Sequence, residues 1–223
     1  MKHFREVRTM LVLPAFLAAA LFACKKETGN TILPVEENML LSQKNSTDIN
    51  ETSQTAASHI AASEKLTIPA AVSLPDDPTG HTRVATYYAV GVQKYKAKLI
   101  AGSVPEAYEW SFVAPLADLY DVTNAKKGIH NAGPCWALSA ADSIFAQHFS
   151  PARTAPADDP ESIDWLLLKP KAGTTPTGIF SNVAYIQRIA TKGGKAPSTP
   201  PSQLNETVDV KYKAVYRFTR INP

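Results

Sequence analysis

From Val208 to Thr219 the chain alternates. Val208, Val210, Tyr212, Ala214, Tyr216 and Phe218 fall at every second position, and Asp209, Lys211, Lys213, Arg217 and Thr219 stand among the positions between, with Val215 the one apolar intruder. A period of two puts the first set on one face of a strand and the second set on the other. The spacing therefore predicts a half-buried strand in a sheet with one wet face. No comparably long stretch carries a helical period. Thr82 to Ile100, rich in Val, Tyr and Thr, reads as one long bent strand or two, with Gly91 as the bend point. Glu109–Val113 and Ala117–Val122 read as further strands. Ile68–Pro75 reads as an edge strand, because its prolines cannot donate to a ladder. Asp76-Asp77-Pro78-Thr79-Gly80 is turn chemistry. Short strands punctuated by 17 prolines point to an all-β antiparallel sandwich or partly closed barrel, one domain over residues 66–223.

What precedes that domain is of another kind. Lys2, Arg5 and Arg8 lead into an apolar run from Met10 to Ala23, the layout of an export signal. The run falls short of the roughly 20 residues a membrane-crossing helix needs. Leu21-Phe22-Ala23-Cys24 resembles a lipobox, in which the cysteine is acylated and becomes the new N-terminus. Residues 1–23 are then a lipoprotein signal, and Cys24 is the lipidation site that attaches the protein to a membrane, where stable anchoring takes more than one acyl chain. Residues 24–65 are polar and poor in aromatics, the composition of a flexible tether, with a short helix around Ala56–Glu64. The expected location is a bacterial cell envelope, at the outer membrane. Removing residues 1–23 leaves 20 basic against 19 acidic groups. So near-neutral a chain has no field to attract nucleic acid. With Cys24 lipidated, Cys135 has no disulfide partner in its own chain.

A series of short motifs runs through the domain. Gly91-Val92-Gln93-Lys94-Tyr95 is followed by Trp110-Ser111-Phe112-Val113-Ala114-Pro115, Leu119-Tyr120-Asp121 and His130-Asn131-Ala132-Gly133-Pro134 with Trp136. Then come Ile163 to Lys169, Gly178-Ile179-Phe180, Tyr185-Ile186-Gln187-Arg188 and Thr191-Lys192-Gly193-Gly194-Lys195-Ala196-Pro197. In this order, over about Ile68 to Phe218, they resemble the domain of unknown function 3455 (DUF3455) family of secreted proteins. The resemblance implies one exported domain and no established activity. Relatives often carry cysteines just after the first and last of these motifs. Here Lys96 and Ser198–Ser202 stand there instead. Relatives often have Thr where this chain has Cys135, which argues against an essential thiol.

Several residues carry candidate chemistry. His130 and Cys135 could form a thiolate–imidazole pair, although no third orienting group follows them. His130 with His148 or Asp142, brought together from distant strands, could hold a metal ion, but the chain has neither Cys-x-x-Cys nor a helical His pair. Gly193-Gly194 lacks the dinucleotide-binding spacing, so no cofactor is expected. Trp136, Asp164 and Trp165 are the preferred ligand-binding positions, since aromatics can line an apolar or sugar-binding cleft. The expected function is non-catalytic binding of a small molecule, a glycan or an envelope protein. The alternatives are an envelope hydrolase or metal-assisted enzyme centred on His130, and a structural envelope component.

Overall fold

The structure, a computed structural model, describes residues 56–223. The signal, Cys24 and most of the tether lie outside the described residues. The domain is all-β: eight antiparallel strands in chain order close into a barrel. They are β1 (His81–Leu99), β2 (Tyr108–Tyr120), β3 (Lys126–Asn131), β4 (Cys135–Ala137), β5 (Ser143–Ala155), β6 (Trp165–Pro170), β7 (Tyr185–Gly193) and β8 (Thr207–Ile221). Of the two architectures the alternation left open, the barrel is the one formed. β8 pairs with β1 along nearly its whole length, from His81↔Ile221 to Lys96↔Thr207, and that seam removes the sheet's outer edges.

The alternation of β8 sets the inside. Tyr212, Ala214, Tyr216 and Phe218 join Tyr87, Ala89, Leu119, Trp136, Ile144 and Ile186 in the barrel core. Lys94 and Asp209 pair on the outer face at 3.1 Å, as do Lys126 and Asp118 at 2.8 Å. Apolar inside and charged outside is the reverse of a barrel that spans a membrane. A 3₁₀ turn, Gly178–Phe180, lies between β6 and β7 and puts Phe180 against Phe218, with ring centroids 4.8 Å apart.

Val215, the intruder, faces outward and is fully buried there. It belongs to a second core, built on the outside of the sheet with Tyr88, Trp165, Leu167 and Ile189. Residues 56–63 are helical and cover it with Ala56 and Ile60. Arg217 donates to Ser63 O at 2.7 Å and pairs with Glu64 at 3.2 Å, tying the end of that helix to β8. Residues 56–65, read from composition as the end of the tether, therefore pack as part of the folded body.

The expected edge strand at Ile68–Pro75 does not form. The segment is a strap across the outer core, with a 3₁₀ turn at Ala70–Val72 and Val72 fully buried. With two prolines it has too few donors for a ladder. Its carbonyls are taken by side chains instead. Arg153 donates to Ala70 O, Ala71 O and Ser73 O, and Gln187 donates to Val72 O. The two strands expected at 109–122 are one, continuous through Pro115, whose neighbour in register is Gln93 of β1. β2 meets β3 only over Ala117–Tyr120, so Pro115 needs no donor on that side. Gly91 is required by proximity. A Cβ there would overlap Leu116 O and Ala117 Cα of β2.

Candidate functional site

The barrel core is solid at the Phe180 end. Toward the other end it opens into a cavity of about 320 Å³, and all eight strands contribute to its wall. Gln93 comes from β1, Phe112 to Pro115 from β2, His130 from β3, and Trp136 from β4. His148, Leu166 with Leu168, Arg188 and Tyr216 come from β5, β6, β7 and β8. An adjoining cavity of about 360 Å³ shares Gln93, Phe112, His148, Leu166 and Arg188 and reaches Asp164 and Lys195 at the rim. Both volumes sit at the lower end of the range for small-molecule sites.

The first half of β2 forms one side. Before Ala117 it pairs with β1 alone, and a register shift at Lys94/Tyr95 sets Phe112 opposite Tyr95. Their rings meet edge to face at 5.7 Å. The opposite rim is fixed by the Gly-Gly motif. Gly193 and Gly194 have φ of +67° and +91°, and a Cβ on either would strike Lys211 O or the Tyr212 side chain. Gly194 O accepts the Tyr95 hydroxyl at 2.7 Å, and Gly193 N donates to the buried Ser162 hydroxyl at 2.8 Å. Both glycines thus serve close backbone packing.

His130 lies deep in the wall, 3 % exposed. Its ring stacks on Trp136 at 4.3 Å and meets Tyr216 edge-on at 4.9 Å. Nδ1 donates to Cys135 O at 2.8 Å. A carbonyl only accepts, so the neutral ring carries its proton on Nδ1 and a lone pair on Nε2. Burial drives the imidazole pKa down to about 3, against the pull of that hydrogen bond, and the positive charge of Arg188 lowers it further. The ring is therefore neutral throughout the physiological range. Burial likewise raises the Tyr212 and Tyr216 hydroxyls.

Arg188 is the charge of the site. Its Nε and Nη2 both donate to the backbone oxygen of Asp164, at 3.1 and 2.7 Å, and not to the Asp164 carboxylate. Among the described residues it has no ion-pair partner. Gln93 is 2 % exposed, and its Nε2 lies by the Tyr212 hydroxyl without forming a hydrogen bond of good geometry. The fully buried Trp136 also has an unpartnered Nε1. A buried donor without an acceptor costs about 1–3 kcal/mol, so such groups are rare unless something fills the space.

The candidates read from the sequence divide. His130, Trp136, His148 and Asp164 stand around these two cavities. Cys135 and Trp165 do not. Cys135 follows the opposite parity from Trp136 in β4 and gives the site only its backbone oxygen. Its thiol is buried, and burial pushes its pKa up, opposite to what a thiolate nucleophile needs. Trp165 belongs to the outer core beneath the strap. Asp142 is committed elsewhere: its Oδ1 accepts Ile179 N and its Oδ2 accepts the Ser139 hydroxyl. Among the described residues no three His, Cys, Asp or Glu side chains are grouped to hold a metal ion.

Gln93 and Arg188 were not among the candidates, although each ends or centres a motif. Both occupy inward positions among otherwise largely apolar inward faces, and that break in parity was the readable signal.

The model of the family described as Protein of unknown function (DUF3455) matches residues 124–220. Over that stretch the chain is similar to that family, as its motifs led one to expect. The match runs from the turn before β3 almost to the end of β8, and so takes in His130, Trp136, His148, Asp164, Arg188 and Tyr216. The Gly91–Tyr95 and Trp110–Pro115 motifs precede it. Gln93 and the Phe112 side of the cavity thus come from β1 and β2, outside the matched residues. No curated protein and no solved structure matches the chain.

Proposed function

We propose that this protein binds a small molecule inside the open end of its barrel, and does so in a bacterial cell envelope, held to a membrane by lipid on Cys24. One observation carries the binding reading: a cavity walled by all eight strands, lined by the unpartnered donors of Gln93 and Trp136 and by Arg188, a cation without an ion pair. An eight-stranded barrel has room inside for side chains or for one small ligand. Here one end is filled and the other is not.

Two other readings, a glycan-binding cleft and a hydrolase, gain less. A sugar cleft needs an aromatic face open to the ligand, yet Trp136 and Trp165 are both buried and the Trp136 face is taken by His130. A hydrolase centred on His130 needs a base whose pKa lies near the working pH, and His130 sits near 3. The lipid anchor rests on the Leu21–Cys24 sequence and the apolar run before it.

Calorimetric titration with a flat, neutral, apolar probe, naphthalene-2-carboxamide, tests the binding reading. Binding is expected for the full chain and is expected to be lost in Leu166→Trp, where a larger side chain fills the cavity. Binding that survives Leu166→Trp would place the ligand elsewhere. Mass spectrometry of the mature N-terminus tests the anchor; an unmodified Cys24 would overturn it.

A further inference from the structure

Arg188 is a half-buried cation, and the side chains its charge reaches in the barrel are uncharged. Its Nε and Nη2 are spent on one backbone carbonyl. Its positive charge reaches His130, Tyr95, Tyr212 and Tyr216; burial raises the three tyrosine hydroxyls, the charge of Arg188 opposing it in part, and Tyr216 also bonds to the Arg188 side chain. None of these supplies a negative charge at neutral pH. The ionisable groups at the rim are Asp164, Lys195 and His148. Lys195 donates to Pro160 O, and the Asp164 carboxylate is exposed to solvent. Counting Arg188, two fixed cations stand against one carboxylate.

Buried charge is ordinarily paired, because desolvation is costly without a counter-charge. Here the half-buried Arg188, without an ion pair among the described residues, stands beside two unpartnered donors. Gln93 Nε2 and Trp136 Nε1 are buried donors with nothing to donate to. Both side chains line the same cavity as Arg188. Two donors without acceptors beside a cation without an ion pair make a set that one anionic group would satisfy. The rest of the wall is apolar: Phe112, Val113, Pro115, Leu166 and Leu168.

We infer that the cavity takes a small carboxylate with an apolar body, its carboxylate held by Arg188 and Gln93 and its body lying between Phe112 and Leu166. A guanidinium matches a carboxylate in shape as well as charge. The inference rests on the cavity being a binding site and adds the chemistry of what binds.

The test pairs two probes of one skeleton, naphthalene-2-carboxylate and naphthalene-2-carboxamide, titrated into the full chain by calorimetry. The carboxylate is expected to bind more tightly, by about tenfold or more, the usual weight of a charge-assisted contact. Arg188→Met is expected to abolish that preference while leaving the carboxamide within about twofold. Because Arg188 also braces Asp164, a second variant, Gln93→Met, leaves the brace intact and is expected to weaken the carboxylate selectively. Equal affinities for the two probes, or a preference that survives Arg188→Met, would overturn the carboxylate assignment and leave the binding reading standing. Binding of neither probe would overturn both.

Discussion

His130 shows how a titratable side chain is recruited as a fixed neutral group. Its pKa near 3 in the fold, against an ordinary value of 6.5, has a sign that can be worked out. The unfolded chain takes up a proton below about pH 6.5 and the folded chain does not. The stability from keeping His130 neutral is therefore complete above that pH and drains away as the pH falls toward 3. Within that window the loss is about 1.4 kcal/mol for each pH unit. Thermal unfolding at pH 7 and pH 5 is expected to show this decline, and His130→Gln to flatten it. Cys135 gives a second expectation at this scale. Its buried, high-pKa thiol is expected to resist iodoacetamide at neutral pH and to react once the chain is unfolded. Labelling of the folded protein at a rate near that of free cysteine would contradict the burial.

The elements were legible in proportion to how far one face stayed wet. β8 alternates because its inner face meets the core and much of its outer face meets water, so its parity could be read directly. Val215 broke the pattern because residues 56–63 cover the sheet there. That helix was visible only as a short helical possibility within a polar stretch, since Ala56, Ile60 and Ser63 are too few to give a period. Ile68–Pro75 was misread because an extended strap and an edge strand share the same composition. They differ only in what takes their carbonyls, and Arg153 lies some 80 residues away. At the site, His130, Trp136 and Asp164 stood out by chemistry. Gln93 and Arg188 needed the closure of the barrel to bring β1 and β7 to one cavity. Two expectations follow for the elements. Deleting residues 1–65 exposes Tyr88 and Val215 and strips Arg217 of Ser63 O, at a cost of about 3 kcal/mol or more. A chain begun at residue 51 is expected to keep the full-length melting temperature. Gly91→Val, which drives a side chain into Leu116 O and Ala117 Cα, is expected to cost about 3 kcal/mol in denaturant unfolding.

At the scale of the molecule, closure divides the interior into two halves. The Phe180 end is packed with aromatic and aliphatic side chains. The other end holds polar groups that a packed core would exclude. Rigid walls from eight strands suit a site that recognises by shape and a few placed donors, with little rearrangement on binding. The most direct check is the indole N–H region of an NMR spectrum during titration with naphthalene-2-carboxylate. Three tryptophans report from three places: Trp136 in the cavity wall, Trp165 beneath the strap, and Trp110 bonded through Nε1 to Thr199 O. The account predicts that the Trp136 resonance moves as the probe binds while those of Trp110 and Trp165 hold still. A Trp136 resonance that stays in place as the probe binds would contradict it.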